Sequence, residues 1–386
     1  MSVGSLLRRL RRRFSISLML CGALGLNATA QETSSQAISV SDEQGLTPIE
    51  LLGKRIFEDK TLSRPAGVAC ASCHQAQQAY QGNNGSSIAA FARGAAPNTL
   101  GKRNTPTVMY ASFSPPFSFV EEKDVKTGHR EMIPIGGQFF DGRAATLTEQ
   151  VKGPLFDPNE MNAASKKDVV AAIRSGPYAE LLRQVFGAHI FNNDNDAFLK
   201  ISQAVAAFES SSRFHPFSSK FDDYLQGKEE LTPQELEGFT LFKDPKKGNC
   251  LSCHVGNETS HNPQDWLFTD YTYDALGGPK YRQARSASKP DLGLCAQPGL
   301  AKKIPFQMRL ESFCGAFKVP TLRNITQTAP YLHNGVFSNL RDVVAFYATR
   351  DTQPARWFPR TSRGFIEKIN DLPRSLRRNV NISEAP

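Results

Sequence analysis

Four of the seven cysteines fall into two identical patterns, Cys70-Ala-Ser-Cys73-His74 and Cys250-Leu-Ser-Cys253-His254. In each pentad the two thiols can form thioethers to the vinyl groups of a haem, and the adjacent histidine can bind its iron as proximal ligand. A zinc site needs four clustered ligands, and a Cys-x-x-Cys redox motif has no use for the histidine. Two pentads in one chain therefore point to a di-haem c-type cytochrome. Cys70, Cys73, Cys250 and Cys253 are the expected attachment points, and His74 and His254 the expected iron ligands.

Covalent haem attachment belongs to an exported protein, and the N-terminus fits one. Arg8, Arg9, Arg11, Arg12 and Arg13 precede an apolar run from Phe14 to Leu26, and Ala28-Thr29-Ala30 gives a small-x-small cleavage pattern. The run is too short for a membrane span. Leu20 before Cys21 does not suit a lipoprotein anchor. Residues 1–30 are thus expected to be a signal peptide, leaving a soluble periplasmic protein with no membrane span. Removing five arginines and no acid takes the formal charge from +9 to +4. Such a modest excess does not suggest nucleic-acid binding. Cys295 and Cys314 remain outside the pentads and the leader. They can form a disulfide in an oxidising compartment, contributing about 3 kcal/mol by the chain-entropy estimate, or stay as free or metal-binding thiols.

The elements that would position the pentads occur twice. Thr47-Pro48-Ile49-Glu50 opens a helix ahead of the first pentad and Thr232-Pro233-Gln234-Glu235 ahead of the second. Both read as threonine N-cap, proline at the first helical position and glutamate at the third. Downstream, Asn104-Thr105-Pro106-Thr107 echoes Lys318-Val319-Pro320-Thr321. Asp141-Gly142-x4-Leu147 likewise echoes Asn334-Gly335-x4-Leu340. Apolar spacing over Ala164–Val185 and Asn195–Ser210 predicts helices between the copies, and Phe217–Glu230 reads as a mostly polar connector. The expected fold is mostly α, with two cytochrome c-like haem domains in tandem and long loops. The boundaries are 31–215 for the N-terminal domain and 216–386 for the C-terminal domain with its extension.

Further motifs are more specific. Arg103-Asn104-Thr105-Pro106-Thr107, Phe140-Asp141-Gly142-Arg143, Glu149-Gln150 with Gly153-Pro154, and Asn159-Glu160-Met161 occur in the first half. Phe317-Lys318-Val319-Pro320-Thr321-Leu322-Arg323-Asn324 runs into Ala329-Pro330-Tyr331-Leu332-His333 in the second. In content and order these resemble the bacterial di-haem cytochrome c peroxidases and their MauG-like relatives, over roughly residues 44–350. The resemblance implies that the N-terminal haem meets hydrogen peroxide and the C-terminal haem relays electrons. It places Gln150, Pro154 and Glu160 in the distal pocket of the first haem. There the Glu160 carboxylate would take a proton from peroxide and return it to the leaving oxygen. It also implies calcium held between the haems through Asn104.

The chain departs from that pattern in three places. The loop Ala95–Arg103 has no histidine, so the first haem is expected to be open at rest; His129 lies in a later insertion. Gly315 stands where a methionine is expected before Pro320, leaving Tyr331 or Met308 as sixth ligand of the second haem, with Tyr331 preferred. Phe140 stands where the relatives carry tryptophan between the haems. The expected function is a periplasmic peroxidase. It would reduce hydrogen peroxide to water with electrons from a small cytochrome c or cupredoxin. The alternative is a MauG-like oxidase that modifies a partner protein through high-valent haem, and the third reading is a non-enzymatic electron carrier.

Overall fold

Thr47 starts the first helix as its sequence dictates. The Glu50 carboxylate accepts hydrogen bonds from the Thr47 N–H and hydroxyl, both at 2.7 Å, ahead of α1 (Pro48–Phe57). The computed structural model describes residues 43–123, 128, 130–281 and 289–382. The expected leader and His129 lie outside the described residues. The rest of the first half is built on α2 (Lys166–Ser175), α3 (Ala179–Phe186) and α4 (Asp194–Glu209). The single helical stretch expected over Ala164–Val185 is two helices, because Gly176-Pro177 cannot continue the first.

The apolar face of α1 packs on α4. Leu52, Ile56 and Phe57 are buried in one core with Phe198, Ile201, Val205 and Phe208. Full burial of each such side chain stabilises by about 1.5–3 kcal/mol. The two backbones approach so closely that a Cβ on Gly53 would lie 1.9 Å from the Ala204 carbonyl oxygen. Only glycine fits that crossing.

The second half is built differently. The stretch expected as a connector contains α5 (Lys220–Leu225), started by a reciprocal Ser219–Asp222 capping box. Asp222 is buried and pairs with buried Arg323 at 2.6 Å, which also donates to the Trp266 and Pro263 carbonyls. Next come α6 (Pro233–Lys243) and, after long loops and 3-10 turns, α7 (Leu340–Thr349). The capping box of α6 repeats that of α1, with Thr232 N–H donating to Glu235 at 2.8 Å. Yet α6 buries no side chain; Leu236 and Leu241 are exposed.

Strand structure is sparse. β1 (Ser118–Lys123) and β2 (Arg130–Ile135) form an antiparallel hairpin with Ser118 opposite Ile135, and β3 (Tyr273–Asp274) pairs with β4 (Phe317–Lys318). Cys295 and Cys314 are joined by a disulfide. Residues from the two halves meet along a polar seam. Arg103 forks onto Asp291 at 2.6 and 2.8 Å and reaches Asp141 at 2.7 Å. The Phe140 carbonyl on that seam accepts from the Lys318 N–H at 2.8 Å. Among the described residues, no helix is long and apolar enough to cross a membrane.

Candidate active site

Both pentads are held by the same local construction. The first makes one helical turn, Cys70–Cys73, and the second a 3-10 turn, Cys250–Ser252. His74 Nδ1 lies 3.0 Å from the Tyr80 carbonyl, and His254 Nδ1 lies 3.0 Å from the Phe268 carbonyl. The Pro106 and Pro320 carbonyls act on the same two histidines. These prolines belong to the repeated Pro-Thr turns, each tied down by a threonine hydroxyl: Thr107 donates to Ala79 O at 2.5 Å and Thr321 to Leu267 O at 2.6 Å. With Nδ1 engaged by a carbonyl, Nε2 is the nitrogen left to iron. Burial holds both imidazoles below the usual histidine range, against the upward pull of those carbonyls, which favours the neutral, ligating form.

Two thiols and a carbonyl-oriented imidazole are the donor set a c-type haem takes. The walls fit as well. Phe57 lies 6.3 Å, ring to ring, from His74. Near the second pentad Leu241 and Val255 are exposed, and the Leu241 carbonyl accepts from the Gly248 N–H at 3.1 Å, two residues before Cys250. Exposed apolar side chains of this kind suit contact with a porphyrin face.

The first site carries a carboxyl near its pentad. Glu160 acts electrostatically on Cys70 and Cys73, which places it at the pentad. Burial pushes its carboxyl up to about 7; Asp157 adds to this, while Arg143 and Lys102 oppose it. Its backbone is fixed by Ala95 N–H donating to Glu160 O at 2.7 Å. Gln150 and Pro154 lie on two short helices, Leu147–Gln150 and Lys152–Phe156, and the Pro154 carbonyl accepts from the N–H of Met161, next to Glu160, at 3.0 Å. Arg143, from the Phe140-Asp141-Gly142-Arg143 motif, also belongs here, with Phe139 beside it. The Arg143 guanidinium sits 3.5 Å over the Phe139 ring, and that ring presses on Gly153, where a Cβ would lie 2.6 Å from it.

A second buried carboxyl, Glu209 at the end of α4, also acts on Cys70, and burial alone pushes it up to about 8. Its Oε2 has no hydrogen-bond partner.

The two axial candidates expected at the second site, Tyr331 and Met308, each have protein partners of their own. The Tyr331 hydroxyl donates to the Ile325 carbonyl at 2.9 Å, within a cluster of Phe337, Phe346 and Phe358. Met308 packs against Leu294, Leu300 and Phe313 in the disulfide-bridged segment. Neither shows an interaction with Cys250, Cys253 or His254 among the described residues. Tyr347 does: burial, then Asp274, Cys253 and Cys250, raise its hydroxyl, with Arg350 opposing. A signal for it was present in the repeat. The offset that carries Gly142 onto Gly335 and Leu147 onto Leu340 also carries Pro154 onto Tyr347.

Asn104 is buried on the seam. Its amide faces the carbonyls of Pro330 at 2.6 Å and Leu332 at 3.3 Å through Nδ2, while Oδ1 accepts from Gln81 at 3.3 Å. A half-turn of the amide would make three oxygens converge, which suits calcium, a cation that takes neutral carbonyl donors.

Fold and pockets together define a mostly helical, di-haem c-type oxidoreductase. A family model for di-haem cytochrome c peroxidases matches residues 48–230. The methylamine utilization protein MauG of Paracoccus denitrificans is 34% identical over 86% of this chain and 81% of its own length. The cytochrome c551 peroxidase of Nitrosomonas europaea is 31% identical over 76% of this chain and 70% of its own. Among solved structures, the diheme peroxidase BthA from Burkholderia thailandensis superposes with a TM-score of 0.79 at 37% identity, covering 88% of this chain and 79% of that one. The chain belongs to the di-haem cytochrome c peroxidase family.

Proposed function

We propose that this protein is a periplasmic peroxidase that reduces hydrogen peroxide to two waters, taking up two electrons and two protons. The observation that carries this reading is Glu160, a half-buried carboxyl held at the first pentad with its acidity moved to about 7. Haem iron, once bound through His74, supplies the site at which the O–O bond is broken and the path for electrons. The rest is done by the chain. The Glu160 carboxylate accepts a proton from peroxide and returns it to the departing oxygen. An acid poised near neutrality can do both, because each protonation state is populated. Phe139 and Pro154 narrow the pocket beside it, and Gln150 offers a neutral amide to orient the substrate. The halves 31–215 and 216–386 each carry one c-type haem. Electrons enter at the second and pass to the first, delivered by a small cytochrome c or cupredoxin.

Tyr347, rather than Tyr331 or Met308, would hold the iron of the second haem through its phenol oxygen. Its support is its interaction with both attachment cysteines and the repeat that pairs it with Pro154. A phenolate ligand favours oxidised iron more than a thioether does. That supports a second reading, a MauG-like oxidase acting on a partner protein. Asn104 with the Pro330 and Leu332 carbonyls is the proposed calcium site.

Low-temperature EPR of the diferric protein, before and after stoichiometric peroxide, tests the reading. A high-spin signal beside a low-spin one, the former lost with peroxide, is the expected result. Two low-spin signals indifferent to peroxide, before and after one-electron reduction, would overturn it.

A further inference from the structure

The segment bridged by Cys295–Cys314 is fixed on three sides yet presents an apolar tip to solvent. The disulfide closes its base. Leu300 is fully buried within it, with Ile304 and Met308 packed alongside. Phe313 packs edge-on against Phe119 of β1 at 5.7 Å. The C-terminal turn Arg374–Asn379 clasps it from the third side, Asn379 donating to Glu311 O at 2.6 Å and Cys314 O at 3.0 Å. Phe306 at the tip is nevertheless fully exposed. Around it Lys302, Lys303 and Arg309 are exposed, and the clasping turn adds exposed Arg374 and Arg378. None of these five cations forms an ion pair among the described residues, and Glu311 is the one acid in the segment Leu300–Cys314.

A flexible loop would gain little by exposing phenylalanine, whereas an immobilised one loses little entropy when that ring is covered. A single aromatic anchor in a basic segment whose cations form no ion pair, Lys303 reaching only the Phe117 ring at 5.6 Å, is a docking surface for a protein carrying carboxylates around an apolar pocket. The position also relates to the second haem. The cluster beneath the segment includes Ala275, whose neighbour Asp274 acts on Tyr347.

We propose that Phe306, with Lys302, Lys303, Arg309, Arg374 and Arg378, is the docking surface for an acidic electron-donor protein. This rests on the peroxidase reading for the donor's role, but not for its binding. The test uses the di-haem holoenzyme with a reduced acidic cupredoxin as probe, scoring binding by NMR line broadening and electron delivery by stopped flow. The double variant Lys302→Glu/Lys303→Glu should slow delivery about tenfold at low salt, with the gap closing at high ionic strength. Phe306→Ala should slow it about tenfold at either salt, because the lost contact is apolar. Turnover with tetramethylphenylenediamine, a small neutral donor, should not change in either variant.

Variants that bind and oxidise the cupredoxin like the parent would overturn the proposal, as would a parent that does not bind it. Binding of the parent to phosphatidylglycerol vesicles, lost in the variants while cupredoxin binding persists, would assign the surface to a membrane instead and also overturn it. A holoenzyme that consumes no peroxide with either donor, yet loses cupredoxin binding in the variants, would sink the peroxidase reading and leave the docking surface standing.

Discussion

The two haem sites share a proximal side and differ on every other count. His74 and His254 are each held by one carbonyl at 3.0 Å and faced by the proline of a Pro-Thr turn. Beside the first pentad stands a carboxyl poised near neutrality, and a tyrosine on α7 interacts with the cysteines of the second. Their helices differ as well. α1 is driven into a core with α4, whereas α6, with the same capping box, leaves Leu236 and Leu241 exposed. One duplicated plan has therefore given a first site beside a packed core and a buried carboxyl, and a second whose leading helix leaves its apolar residues exposed. The duplicated turns that hold the two histidines are kept, while the residues around them differ because nothing in those turns constrains them.

The largest expected effect breaks the distal contrast. Glu160→Gln keeps the shape of the side chain but removes the titrating oxygen. It should lower kcat/KM for peroxide by about 10²- to 10⁴-fold, leaving the absorption spectrum of the resting protein intact. Peroxide consumption with a saturating donor measures it.

The structural contrast can be broken at equivalent glycines. Gly53→Ala must push against the Ala204 carbonyl and should destabilise by about 3 kcal/mol, whereas its counterpart Gly238 has open space around it. Gly238→Ala should be neutral or stabilising by up to about 1 kcal/mol, since alanine is the better helix former. Thermal melts of the holo-proteins separate the two.

Tyr347→Phe sharpens the axial difference. It should convert the second haem from low-spin to high-spin in EPR, while Tyr331→Phe and Met308→Leu leave the low-spin signal in place. A low-spin signal that survives Tyr347→Phe would return the axial role to one of the other two.

The smallest effect is a pH profile. Glu160 must be ionised to accept the first proton, and its acidity is raised to about 7. Peroxide kcat/KM should therefore fall as pH drops through about 7, approaching tenfold per unit well below it, and stay level above. In Glu160→Gln that inflection should be absent.

Much of this was written in the chain. Haem attachment needs atoms at fixed covalent spacing, so the pentads declare it directly. The helix starts at Thr47 and Thr232 were equally legible, because capping is a bond between residues three apart. Glu160 and Asn104 were visible through family motifs. Phe139 was not, because the stacking of the Arg143 guanidinium on its ring leaves no periodic trace. For the sixth ligand the family resemblance points to Tyr331 or Met308, while the repeat offset that pairs Pro154 with position 347 points to Tyr347.

What the sequence determined alone is therefore local: covalent attachment points, helix caps, the duplicated turns and the cysteines able to pair. What only the tertiary structure decided is which of two equivalent helices would be buried and which residues gather at each pentad. It also decided that a basic, phenylalanine-tipped segment would be clamped in place. These outcomes depend on contacts between residues far apart in the chain, such as Gly53 with Ala204 and Asn379 with Cys314, and no spacing rule encodes such distances.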